Sequence, residues 1–189
     1  MTTPDPATTA VVLPRPPAPP SPRWHASREA PARPEPWSCT SPTRPAADRS
    51  SNRRAPLFAR LLPALDHWTP DHRATQVIPE IGVGPDDLVR QRNTGLSPTH
   101  GTETFKLLRN VGVRTIVIAG ISVNVAIPVA ATEATDEDFD VLIPRDAVAG
   151  APAAHVESVL QHTLAFIATL CTVDDLLAGW GVATGRGTA

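Results

Sequence analysis

An α/β fold, three-layered with a central and mostly parallel sheet between helices, is the class this sequence predicts, and three observations predict it. Residues 115–119 (TIVIA) form an unbroken apolar run rich in β-branched side chains, which suits a strand buried on both faces. From residue 102 onward, segments with helical apolar spacing alternate with short runs of that kind. Gly112, Gly120 and Thr172 stand at the junctions, where helix stops, strand ends and helix starts are expected. Such alternation places parallel strands between covering helices.

Taken in order, the chain opens with residues 8–13 (TTAVVL), which read as a buried strand. Pro14, Pro16, Pro17, Pro19, Pro20 and Pro22 follow at once and would strip a strand of its donors. Of the 22 prolines, 13 fall in residues 1–47. Residues 1–48 are therefore expected to be a Pro/Arg/Ala-rich disordered leader, partly polyproline II, with the folded domain over 49–182 and a disordered tail at 183–189. Leu57, Phe58, Leu61, Leu62 and Leu65 recur at helical spacing. His67, Asp71 and His72 then sit in a Pro-containing turn that offers no scaffold for three ligands, so no metal site is expected there. QVIPEI (76–81) and residues 87–89 frame a loop and a short strand, after which Arg90 and Arg92 precede the loop TGLSPTHGT.

A helix is expected from about Thr102, with Phe105, Leu108 and Val111 as its buried stripe, stopping at Gly112. After the strand at 115–119, Gly120 ends it, and Ser122 and Asn124 offer caps for a helix over 125–135 that tolerates Pro128 in its first turn. Strand, turn and helix together aim free backbone N–H groups and the positive end of a dipole at one point, a place for an anion or a polarised carbonyl. A further strand is expected at 141–144 and one long helix over 153–170, with Val156, Val159, Leu160, Leu164, Ile167 and Cys171 on one face. Thr172, Asp174 and Asp175 open a last helix carrying Leu176, Leu177 and Trp180.

Charge divides the chain in the same way. The first 54 residues carry eight Arg against four acids, and the remainder nine basic against 15 acidic residues, which resolves the net charge of −2 into a basic leader and an acidic body. The arginines lack aromatic interleaving and the body lacks a basic patch, so nucleic acid is not an expected partner. No apolar run approaches the ~20 residues that cross a bilayer, and no membrane association is expected. Cys39 and Cys171 lie far apart in regions of unlike character, which points to a reduced, cytoplasmic chain rather than a disulfide framework.

Over residues 49–182 the chain resembles the isochorismatase-like superfamily, often called cysteine hydrolases. The resemblance rests on QVIPEI before a charged strand, HGTETFKLLRNVGVRTIVIAG as helix then strand, GISVNVAI at the nucleophile turn and DVLIPRDAVAG as the next strand and loop. It implies a hydrolase in which a Cys at a helix N-terminus attacks a carbonyl, an Asp after the first strand moves protons, and a Lys polarises. It also implies a small-molecule ligand and a homo-oligomer, and no cofactor. Position by position, the nucleophile slot of G-x-x-x-N-x-C falls on Ala126, the Lys slot on Arg92, and the Asp slot near Arg15. A methyl group cannot attack, and Arg for Lys keeps charge without a proton to give. The site is thus expected to retain Arg92, Ser122, Asn124 and Ala126 as pocket residues with catalysis impaired or lost. The alternative is an active isochorismatase-type or amide/carbamoyl hydrolase with a diverged mechanism, and the N-terminal part of the fold is expected to be incomplete. Residues 14–48, in a chain whose one lysine is Lys106, read either as authentic or as a GC-rich stretch translated in a shifted frame.

Overall fold

The computed structural model describes the backbone at residues 9–13 and 37–41, and the chain at 56–57, 76–77, 83–84, 87–90 and 96–180. In chain order the elements are β1 (Thr9–Leu13), β2 (Trp37–Ser41), β3 (Leu88–Val89), α1 (Thr104–Asn110), β4 (Thr115–Ile121), α2 (Ala126–Asp136), β5 (Asp140–Pro144), β6 (Val148–Ala149), α3 (Ala153–His162), a 3-10 turn (Leu164–Phe166), β7 (Thr169–Cys171) and α4 (Val173–Gly179). The strands form one sheet in the order β3-β2-β1-β4-β5-β7, with β6 paired to the end of β4. β4 is parallel to β5 and β6, β5 to β7, and β2 to β3. β1 alone runs against its neighbours, antiparallel to both β2 and β4.

The apolar run of β4 explains the core. Ile116 and Ile118 join Val123, Ile127, Ala130, Ala131, Ala134, Val141, Ile143, Val159, Leu160 and Leu164 in one cluster. Val117 points to the other face of the sheet and is still only 2% exposed. Both faces of the strand are therefore covered, and the sheet is the middle layer of an α/β architecture.

Helix ends follow their local chemistry. α1 closes at Gly112, whose φ is 81°, with Gly112 N–H donating to Arg109 O and Val113 N–H to Leu108 O. Those two bonds form a Schellman cap. The same pattern closes α2 without a glycine: Asp138 has φ 69°, its N–H donates to Thr135 O, and Phe139 N–H donates to Ala134 O. Phe139 is thereby buried against Phe105 of α1, ring centroids 5.6 Å apart, with the Arg109 guanidinium over its ring at 5.9 Å. Arg109 also pairs with Glu137, so the ends of α1 and α2 are joined by apolar and charged contacts.

Four expectations are corrected. β4 does not end at Gly120; it runs two residues beyond 119 because Gly120 and Ile121 pair with Val148 and Ala149 of β6. The expected helix over 153–170 stops at His162, turns at Thr163 and the 3-10 segment, and passes into β7. The apolar period survives that break because the 3-10 turn keeps Leu164 facing the core, while Thr169 and Leu170 suit a strand. Cys171 consequently lies in β7, not on a helical stripe. Within the leader, Trp37–Ser41 forms a strand on β1; it is a proline-free pentad with an aromatic and a β-branched residue. Of the segment 57–65, only Leu57 is among the described residues.

Candidate functional site

The direction of each strand decides what can meet at one edge. β2 and β3 are parallel to β4, since two antiparallel steps separate β2 from β4. The register passes from Val89 to Thr40, from Thr40 to Ala10 and from Ala10 to Ala119. Arg90, the residue after β3, is thus level with Gly120 at the C-terminal edge of β4. Three interstrand steps at roughly 4.8 Å put about 14 Å between the two backbones. That edge is where open α/β sheets bind ligands.

The turn after β4 is held by backbone bonds. Gly120 N–H donates to Ala147 O and Val123 N–H to Ala149 O, while Ser122 O accepts from Val125 N–H and Ile127 N–H. The Ile121–Ser122 peptide is cis. Among the described residues, the N–H groups of Asn124 and Ala126 make no hydrogen bond. Ala126 is the first residue of α2, where the helix dipole favours negative charge. Ser122 and Asn124 do not cap α2 through their side chains as expected; Val125 occupies the cap without a side-chain bond. The Asn124 amide instead donates to Ala151 O at 3.1 Å, and its Oδ1 is buried with no partner among the described residues. Oδ1 lies against Gly150, where a Cβ would come within 2.1 Å of it and within 2.7 Å of Val123 Cγ1. Gly150 is needed for this close approach, and the sequence pattern alone did not single it out.

Ala126 is 6% exposed, a methyl group at the first residue of α2. Ser122, Asn124 and Ala126 lie on the one turn that joins β4 to α2. Arg92 and Arg15 lie outside the described residues, as do His67, Asp71 and His72. β1, which precedes Arg15 in sequence, is described and runs antiparallel to β4. Thr9 pairs with Gly120 and Val12 with Val117, so Leu13 is level with Ile116. Six residues at ~3.3 Å separate that level from Ser122, about 20 Å.

Cys171 does not replace the missing thiol. Burial, then the carboxylates of Asp175 and Asp146, raise its pKa, which keeps it protonated and weakly nucleophilic. No group of three or more His, Cys, Asp or Glu residues among the described residues is placed to hold a metal ion.

A second polar cluster was not anticipated. Ser97 and Thr99, each 6% exposed, both donate to Glu133 Oε2 on α2. His100 Nδ1 stands 3.6 Å from Oε1. The signal was a hydroxyl-rich loop and one acid on the half-buried side of a helix, which periodicity alone does not pair.

The model of the isochorismatase domain matches residues 42–175, most of the chain. The chain belongs to the isochorismatase domain family. It is 32% identical over 124 residues to the isochorismatase family protein YecD of Escherichia coli O157:H7, covering 65% of this chain and 61% of that protein. It is 25% identical over 116 residues to the phenazine biosynthesis protein PhzD1 of Pseudomonas aeruginosa, covering 59% and 56%. The chain thus spans less than two thirds of the length of the curated relatives it matches. An isochorismatase-like hydrolase from Alkaliphilus metalliredigens shares the fold, with TM-score 0.62 and 22% identity over 74% of this chain and 71% of that one. The isochorismatase domain of this chain is therefore hydrolase-like in family and fold, and its own turn residues must supply any account of its chemistry.

Proposed function

We propose that this isochorismatase domain binds a small polar, anionic molecule at the C-terminal edge of β4 and does not hydrolyse it. The observation that carries the reading is Ala126: the residue at the head of α2, where the family pattern G-x-x-x-N-x-C has its nucleophile, ends in a methyl group. Binding is supported by the N–H groups of Asn124 and Ala126, which make no hydrogen bond among the described residues, and by Arg90 level with Gly120 at the same edge. Lost proton transfer is supported by β1, which ends at the opposite edge. The reading includes a homo-oligomer, no cofactor, and neither nucleic acid nor membrane as partner; no described helix is long and apolar enough to cross a bilayer.

It also includes a cytoplasmic location. Cys39 and Cys171 lie on strands four interstrand steps apart, about 19 Å, far beyond disulfide reach.

Calorimetric titration of the purified chain with small carboxylates, benzoate first, tests the reading. Saturable binding without product is expected. No binding to any carboxylate, amide or carbamoyl compound would overturn it.

A further inference from the structure

We infer that Glu133 is a positioning residue for the candidate site, acting through residues 96–102 rather than by touching a ligand. Its carboxylate is the acceptor on which that loop converges. Ser97 Oγ donates to Oε2 at 2.7 Å, Thr99 Oγ1 donates to the same oxygen, and His100 Nδ1 lies 3.6 Å from Oε1. Ser97 Oγ in turn accepts the N–H groups of Thr99 at 3.1 Å and His100 at 3.0 Å. Thr102 completes the run, its N–H and hydroxyl both bonding Thr99 O and its hydroxyl also reaching Thr104 Oγ1 at the start of α1. A chain of bonds therefore passes from one carboxylate through the loop backbone to the first residue of a helix.

The two hydroxyls are buried, so removing the carboxylate leaves donors that water reaches poorly, and the loop must open to satisfy them. Glu133 lies seven residues after Ala126 on α2, about 10 Å of helical rise. In sequence the loop follows Arg90, and residues 91–95 between them lie outside the described residues. Glu133 thus ties residues 97–102 to the helix whose head forms the turn. Elsewhere along these helices Arg109 pairs with Glu137, and Lys106 with Glu103.

The functional consequence rests on the binding reading above, whereas the clasp itself can be tested without ligand. Hydrogen exchange is compared in the wild type, Glu133→Ala, the pair Ser97→Ala with Thr99→Val, and all three changes together. We expect the Thr102 amide, which bonds Thr99 O rather than Ser97 Oγ, to exchange about ten-fold faster or more in Glu133→Ala and in the pair, and no faster in the combined variant than in Glu133→Ala. Amides at 116–118 in β4 report whether each variant folds and should stay within about two-fold of wild type. Unchanged loop exchange, equal acceleration in β4, or multiplying effects in the combined variant would overturn the inference. Benzoate titration separates the two readings. About ten-fold weaker binding by Glu133→Ala supports positioning, and equal binding by wild type and variant overturns it. If the wild type does not bind benzoate or another carboxylate, the binding reading fails and the exchange data still decide the clasp.

Discussion

Asp138 carries the left-handed turn that ends α2, with φ 69° and no glycine to relieve it. An L side chain is disfavoured in that conformation, and Asp tolerates it better than most. Replacing Asp138 with Gly should raise stability by about 0.5–1 kcal/mol, read as a higher midpoint in urea, because the Schellman bonds to Thr135 O and Ala134 O are kept. Thr172 and Asp175 form the opposite kind of end. The Thr172 hydroxyl accepts from Asp175 N–H while Thr172 N–H donates to the Asp175 carboxylate, a full capping box. The hydrogen bonds from the Thr172 side chain and backbone hold the Asp175 pKa below its ordinary value. A carboxylate lowered in the folded state contributes stability above its unfolded pKa and loses it as pH falls through the folded one. The stability gap between wild type and Thr172→Ala should therefore be widest at neutral pH and shrink as the pH falls into the acid range in thermal melts. These two ends were unequally legible. TVDD announces a cap by residue type, whereas TDEDF gives no glycine to mark the stop.

At the scale of elements, the turn after β4 depends on β6 and the residues that follow it. Two backbone bonds and one from Asn124 join 120–124 to 147–151. Gly150 lies where those two pieces come closest. Gly150→Ala should destabilise the chain by about 1–3 kcal/mol, since Val123 is fully buried and cannot yield. Adding Asn124→Ala should recover part of that loss, removing the nearer obstruction but leaving Val123 Cγ1. A two-residue strand such as Val148–Ala149 has no periodicity to read, which is why the sequence pointed to β4 and β5 but not to β6. The break after His162 was hidden for the reverse reason. Val156, Val159, Leu160 and Leu164 keep helical spacing although the helix has ended, because burial selects the side chains and the 3-10 turn leaves the face unchanged.

For the whole molecule, strand direction matters more than strand existence. The apolar residues 9–13 marked a strand, but nothing in TAVVL says which way it runs, since direction is set by partners distant in sequence. β1 lies antiparallel to β4, and its last residue, Leu13, is level with Ile116, away from Ser122 and Ala126. Putting Cys at 126 restores a thiol at a helix N-terminus without a nearby proton-transfer group. Arg15→Asp combined with Ala126→Cys should accordingly give no more hydrolysis than Ala126→Cys alone. The family and the α/β class were legible because they depend on local pattern; the Glu133 clasp and the site edge were not, because both depend on pairings across the sheet and between helix and loop. The most direct measurement of the central claim is turnover by the purified wild-type chain on a panel of amides, carbamoyl compounds and vinyl ethers, run beside Asn124→Ala as a control for contaminating hydrolases. Rates equal to buffer for both proteins are the expected result, and wild-type turnover above buffer that falls in Asn124→Ala would contradict the account.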